Sequence, residues 1–291
     1  MRRRIERMRI AVVSLFPVMI REALAHGVVG RAMERGLLTV EYFDPRDHAT
    51  DLHRTVDDRS YGGGPGMVLK VEPLRSALHG AMAAMPPGSR RVYLGADGRR
   101  FDQGVAREAR HWPGLVLVAG RYEGVDERFI ERETDEQWSI GDYVLSGGEL
   151  PALVVIDAIA RLIPGTLGSA ESAVQESFSD GLVDWPHYTR PPAIDGQTVP
   201  AVLLSGDHEA IRRWRLQQAL GRTWLRRPEL LERRGMNDEE RALLEEFKIE
   251  RARTPSLSAS NPPAHQRLGA RESYVQWCAY TIHRLASPVE Q

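Results

Sequence analysis

Cysteine is nearly absent from this sequence: Cys278 stands alone in 291 residues. A single thiol excludes an intramolecular disulfide, a multi-thiolate zinc cluster and any two-cysteine mechanism, and it suits a reducing, cytoplasmic setting. Lysine is almost as scarce, since Lys70 and Lys248 are the only two among 39 basic residues. Positive charge is therefore carried by planar guanidinium forks, through drift in composition or through selection for phosphate contact. Long apolar runs are missing too. The start, MRRRIERMR, leads only into the short run Ile10 to Phe16, which Pro17 closes, so a strand is expected there rather than a signal peptide. With a net charge of −1 the molecule is no polycation, and nucleic-acid contact would have to come from a local patch. The nine histidines are scattered, no HExxH pair occurs, and GxGxxG, Walker A and GxSxG signatures are all missing.

What is present is an alternation of elements. RIAVVSLF, residues 9 to 16, is apolar almost throughout, as expected of a strand covered on both faces. VMIREALAHGVVGRAMERG follows as one helix or a pair interrupted near Gly27, and LLTVEYF, 37 to 43, as a second strand. A helix is expected from Glu72-Pro73 to about Met85, a strand at 91 to 94, a polar helix around 102 to 110 and a strand at 115 to 120. This pattern predicts an α/β architecture with a mainly parallel sheet, whose ligand loops gather at the carboxyl ends of the strands. From Glu149 a strongly apolar helix runs until Pro164-Gly165 closes it. Its broad apolar surface suggests burial against something beyond its own sheet, another subunit being one candidate. The expected division is an α/β domain over 8–167, a linker over 168–181, a helical module over 182–251 and an extension over 252–291. The extension is polar and expected to be partly disordered, with one further helix at 272 to 286.

Three glycine-rich loops concentrate the chemistry. HRTVDDRSYGGGPGM, 53 to 67, packs four glycines and a proline into five positions, which suits close backbone approach to a ligand. Asp57, Asp58 and Arg59 in it either touch a substrate or cap the turns. GRYEGVDER, 120 to 128, leaves a strand with Gly120 and Gly124 as permissive points and Glu123 as a carboxylate at the crevice. SIGDYVLSGGELP, 139 to 151, interleaves Ile140, Tyr143 and Leu145 with Gly141, Gly147 and Gly148, a mixture that suits a flat ring held against backbone. Three such loops in one domain favour a shared ligand site.

The helical module adds a basic patch. Eight arginines against four acidic residues lie between 205 and 234, with Trp214 and Trp224 among them. Arg212, Arg215 and Arg222 approximate one helical face, the pattern of phosphate-backbone contact, and a solvated face is the bland alternative. Asp207 is a candidate N-cap, which leaves His208 either a turn residue or an RNA contact. On the residues alone, a ligand-binding enzyme and a non-enzymatic RNA-binding factor both stay open; a phosphate-binding metabolic enzyme is contradicted by the missing P-loop residues.

The three loops, PHYTRP at 186 to 191 and SGDHEAIRRWRLQQALGRT at 205 to 223 together resemble, in order and over about residues 8 to 250, the bacterial tRNA (guanine-37-N1)-methyltransferase family. That family belongs to the SPOUT class of S-adenosylmethionine-dependent methyltransferases. The resemblance implies a deep trefoil knot in the α/β domain, a rare exception among folds, and a homodimer with composite active sites. It implies methyl transfer to N1 of guanine 37 of tRNA, and a magnesium requirement. Carried over by position, the cofactor pocket comprises Pro65, Tyr93, Leu94, Gly120, Tyr122, Glu123, Ile140, Gly141, Tyr143, Leu145, Gly147 and Gly148. The catalytic pair is Glu176 and Arg161, and the tRNA contacts are Asp57, Arg59, His208, Arg212, Arg215 and Arg222. One position departs from the family pattern: aspartate followed by Ser-Phe is replaced by Glu176-Ser177-Phe178. Within the knotted class, a ribose or rRNA methyltransferase is the nearest rival; the linker carboxylate and the carboxy-terminal module argue against it.

Overall fold

The computed structural model describes residues 7–168, 177–178 and 180–253. The chain divides into two compact units, Met1–Ala173 and Val174–Gln291. The first is an α/β layer built in the order β1 (Met8–Val13), α1 (Pro17–Leu24), α2 (Gly27–Glu34), β2 (Leu38–Phe43), β3 (Asp57–Asp58), β4 (Val68–Leu69), α3 (Val71–Ala84), β5 (Arg90–Arg100), α4 (Gln103–Ala109), β6 (Leu115–Ala119), α5 (Glu127–Glu133), β7 (Glu136–Ser139) and α6 (Glu149–Arg161). Five strands pair in parallel in the order β2-β1-β6-β5-β7.

The unbroken apolar runs of β1 and β6 have a direct cause. Alternate side chains leave a strand on opposite faces, and here both faces are covered. Ile10, Val12, Leu115 and Leu117 join one core with α1, α2, α4 and α6, while Ala11, Val13, Val116 and Val118 join the other with α3 and α5. Burial of each large aliphatic side chain contributes about 1.5–3 kcal/mol before entropy is counted. The helix pair expected around Gly27 is found, and Gly27 opens α2 with φ 69°. Gly30 lets α2 close onto its predecessor, because a Cβ there would sit 2.4 Å from the Ala25 carbonyl oxygen.

Two features differ from the expectation. The strand begun by RVYL continues to Arg100, with residues 95 to 98 thrown out as a bulge between the pairs Leu94↔Trp138 and Arg99↔Trp138. Gly98 permits it, since a Cβ would meet the Gln137–Trp138 backbone at 2.5 Å. The second difference is that α5 and β7 follow the second loop, so the third loop also leaves a strand. Both are short, seven and four residues, and the sequence pattern assigns no element there.

On α6, Ala152, Val155, Ile156 and Ile159 are buried, whereas Leu150 and Val154 remain exposed. The second unit carries a small hairpin, β8 (Ala193–Ile194) and β9 (Gln197–Thr198), followed by α7 (His208–Arg226), α8 (Pro228–Arg234) and α9 (Asp238–Arg253). Its core is formed by Leu182, Ala219, Leu220, Leu231, Leu243 and Leu244. Gly221 brings α7 against α9: a Cβ would lie 2.4 Å from the Phe247 ring. As expected, Asp207 caps α7, accepting from the amides of Glu209 and Ala210 at 3.0 Å. Glu176 and the expected helix at 272 to 286 lie outside the described residues.

Candidate active site

The carboxyl ends of β5, β6 and β7 open into one cleft of about 200 Å³. Of the twelve cofactor residues expected from sequence, eleven line it: Tyr93, Leu94, Gly120, Tyr122, Glu123, Ile140, Gly141, Tyr143, Leu145, Gly147 and Gly148. Pro65 does not line the cleft, but its neighbour Gly66 packs onto Glu123, 2.3 Å separating the Glu123 Oε1 from where a Gly66 Cβ would stand.

Backbone hydrogen bonds knit the loops together. The Glu123 amide donates to the Met67 carbonyl at 2.9 Å, and the Leu69 amide to the Gly124 carbonyl at 3.0 Å, joining the first loop to the second. The Gly148 amide donates to the Gly120 carbonyl at 2.8 Å, joining the second to the third. These approaches need glycine. A Cβ on Gly148 would lie 2.6 Å from the Ala119 Cα, and one on Gly120 would lie 2.8 Å from the Tyr93 hydroxyl. Tyr122 holds φ 61° with its ring half exposed, a left-handed conformation that the flanking bonds impose on a bulky residue.

The electrostatics rest on a group that the sequence reading did not single out. Glu149, in the first turn of α6, is 1% exposed and accepts from the Ser14 hydroxyl at 2.8 Å and from Arg121 Nε at 3.0 Å. Arg121 also donates to the Ser146 carbonyl at 3.1 Å and lies 4.4 Å over the Phe16 ring. One guanidinium thus fastens the second loop to the third. The only sequence signal was the position of Arg121 between Gly120 and Tyr122. Tyr93 is buried, and desolvation, reinforced by Asp97 and Glu127, pushes its hydroxyl above the ordinary tyrosine range. Trp138, fully buried, donates to Glu136 at 2.8 Å and forms part of the cleft wall with Gly95 and Ala96.

The remaining predicted residues lie elsewhere. Asp57 pairs with Leu69 across the short β3–β4 ladder, and Arg59 and Asp58 line a separate surface cleft with Lys70 and Arg128. Arg161 is the last residue of α6 and half buried. Arg212 is engaged by Glu209 at 2.6 Å and by Glu239 at 3.1 Å, which raise its already high pKa. Arg215 lies 5.0 Å over the Trp185 ring, His208 is exposed in the first turn of α7, and Arg222 is half buried.

The profile of the family described as tRNA (Guanine-1)-methyltransferase TrmD matches residues 8–233. The chain belongs to this family. It is 61% identical over 243 residues to the tRNA (guanine-N(1)-)-methyltransferase of Methylococcus capsulatus, covering 84% of this chain and 97% of that protein. To the protein of the same name from Chromohalobacter salexigens it is 57% identical over 256 residues, covering 86% and 96% of the two chains. To the one from Salmonella newport it is 59% identical over 245 residues, covering 84% and 96%. Membership in this methyltransferase family implies S-adenosylmethionine as the methyl donor. The cleft's lining is compatible with this donor: Gly120, Gly141, Gly147 and Gly148 together with Tyr122, Ile140, Tyr143, Leu145 and the acidic Glu123.

Proposed function

We propose that this chain transfers the methyl group of S-adenosylmethionine to N1 of guanine 37 in tRNA, next to the anticodon. Membership in the tRNA (guanine-1)-methyltransferase family supports the reaction. The observation that carries the cofactor reading is the glycine cradle in which Gly120, Gly147 and Gly148 allow the second and third loops to meet around one cleft. Ile140, Tyr143 and Leu145 supply the apolar walls for adenine, and Glu123 faces the ammonium of the methionine end. The donor supplies an electrophilic methyl carbon on a sulfonium.

Guanine N1 bears a proton at neutral pH, and that proton has to leave as the N1–carbon bond forms. Glu176 is the proposed base, its carboxylate taking the N1 proton. Arg161 is proposed to donate to guanine O6, where negative charge grows as N1–H is lost. Asp57, Arg59, His208, Arg212, Arg215 and Arg222 are the proposed tRNA contacts, within an α/β domain over 8–167, a linker over 168–181 and a tRNA-binding module over 182–251. The polar sequence of 252–291 is the proposed, partly disordered extension.

A homodimer is part of this reading. Leu150 and Val154 on α6, with Val18 and Met19 on the adjoining α1, leave apolar side chains exposed that a second copy would cover. The trefoil knot of the SPOUT class is proposed for the loops that follow β5, β6 and β7, and the tRNA substrate points to a cytoplasmic site of action. Magnesium has no such support: among the described residues no three His, Cys, Asp or Glu side chains gather to hold an ion, so no step is assigned to it.

Single-turnover methyl transfer tests the roles. Glu176→Gln is expected to lower the rate by about 10²–10⁴-fold while cofactor affinity holds; a near-normal rate removes Glu176 as the base. Arg161→Lys is expected to slow transfer more than it weakens tRNA binding, and the reverse would make Arg161 a binding residue.

A further inference from the structure

The motif PHYTRP, residues 186 to 191, is used by neither the cofactor cleft nor the arginine face. In the second unit it forms one wall of a cleft of about 660 Å³, closed on the other side by Leu203, Leu204 and Ile211. Three aromatic rings edge this cleft. Trp185 and His187 stand 5.7 Å apart, and Tyr188, half exposed, leans on Trp214 at 6.4 Å. His187 is anchored from outside by Asp184, at 2.8 Å.

Charge in the cleft has one sign. Arg190 and Arg215 line it, and no Asp or Glu does, whereas the adjoining cleft is lined by both Asp180 and Asp184. Arg215 stacks 5.0 Å over Trp185, and its Nε is buried without a hydrogen-bond partner. Arg190 and Arg215 together give the cleft two cations with which an anionic oxygen can pair. Flat rings for stacking, apolar depth and cationic donors at the rim match an unpaired nucleotide, its base between rings and its phosphate on arginine. A duplex offers no free base face to this cleft.

We infer that the cleft of Trp185, Tyr188, Arg190 and Arg215 binds an unpaired nucleotide of the tRNA substrate, stacking its base and pairing its phosphate. The inference rests on tRNA being the substrate. It gives the second unit a contact that distinguishes looped from paired RNA, in addition to the sequence-blind attraction of its arginines.

The test compares the full chain with Tyr188→Ala and Tyr188→Phe for binding to a tRNA transcript and to a fully paired RNA duplex of similar length. Base stacking is worth about 1–3 kcal/mol per base. Tyr188→Ala should therefore bind the transcript roughly tenfold or more weakly, with its salt dependence unchanged, while Tyr188→Phe keeps the ring and the affinity. Duplex affinity should be equal in all three. A thermal midpoint and S-adenosylmethionine affinity matching the parent show that Tyr188→Ala is folded. Undiminished transcript binding by this variant, in a protein whose parent form methylates tRNA, would overturn the inference and leave the cleft to another occupant, such as an acidic peptide. Equal losses on transcript and duplex would overturn the unpaired-nucleotide assignment. A parent protein that does not methylate tRNA would instead refute the proposed function.

Discussion

Arg121 Nε donates to the Glu149 carboxylate at 3.0 Å, a side-chain bond that ties the loop after β6 to the helix that follows β7. Glu149 is almost wholly buried and Arg121 about one-fifth exposed, so the pair is poorly screened by solvent. Removing one member of a buried pair leaves the other charged and uncompensated, which typically costs about 3–5 kcal/mol. Glu149→Gln should therefore lower the unfolding free energy of the first unit by about 3 kcal/mol, measured by denaturant titration. Calorimetry should also show weaker S-adenosylmethionine binding, because the third loop loses its tether. An unchanged cofactor affinity would mean that the pair serves stability alone.

Gly148 tests the cradle itself. Its missing Cβ would fall 2.6 Å from the Ala119 Cα and 3.0 Å from the Gly120 nitrogen, both backbone atoms at the end of a central strand that cannot yield. Gly148→Ala should part the second and third loops and weaken cofactor binding at least tenfold. Gly168→Ala, where no described residue lies within 4 Å of the added atom, is the matched control and should bind as the parent does.

The sequence made some of these features legible and hid others for identifiable reasons. β1 and β6 were readable because strands buried on both faces are apolar at every position, and the three loops because their glycines are dense. Asp207 was readable as a cap because its signal is local. The ladder beyond Leu94 was not, since the bulge at residues 95 to 98 places glycine and aspartate inside a strand. Glu149 looked like an ordinary acidic residue in a helix's first turn. Its role depends on Ser14, 135 positions earlier, and on Arg121, contacts that only the fold creates. The acidic partners of the arginine-rich helix were hidden for the same reason: Arg212 and Arg213 are engaged by Glu239 and Glu246 of α9, which no local pattern reveals.

That engagement has a consequence for RNA binding. Neutralising Arg222, which has no such acidic partner among the described residues, should lower tRNA affinity and reduce the slope of log K against log salt by about 1. Arg212→Ala should change the slope less, because Glu209 and Glu239 already compensate its charge. Binding titrations across a salt series decide this, and equal slopes for the two variants would contradict it.

Acid stability of the second unit should depend on Glu240. The Arg234 guanidinium, donating at 2.6 Å, holds its carboxyl below the ordinary range despite burial, and the Asn237 amide adds a second bond. Asn237 in turn accepts from the Glu240 amide, completing a reciprocal cap at the start of α9. A depressed carboxyl pKa contributes stability that is present above the unfolded value, about 4.3 for glutamate, and is lost as pH falls through the lower folded value. Glu240→Gln should cost about 1–2 kcal/mol at neutral pH and flatten the loss of stability below about pH 4. Denaturant midpoints at pH 7 and pH 3 check both signs; an equal deficit at the two values would show that the charge does not matter.

The most direct test of the proposed activity is methyl transfer from labelled S-adenosylmethionine to a tRNA transcript bearing guanine at position 37, set against the same transcript bearing adenine there, with the modified atom mapped. The account predicts stoichiometric label at guanine N1 in the first and none at position 37 in the second. Label at another atom or nucleotide, or equal labelling of both transcripts, would contradict it.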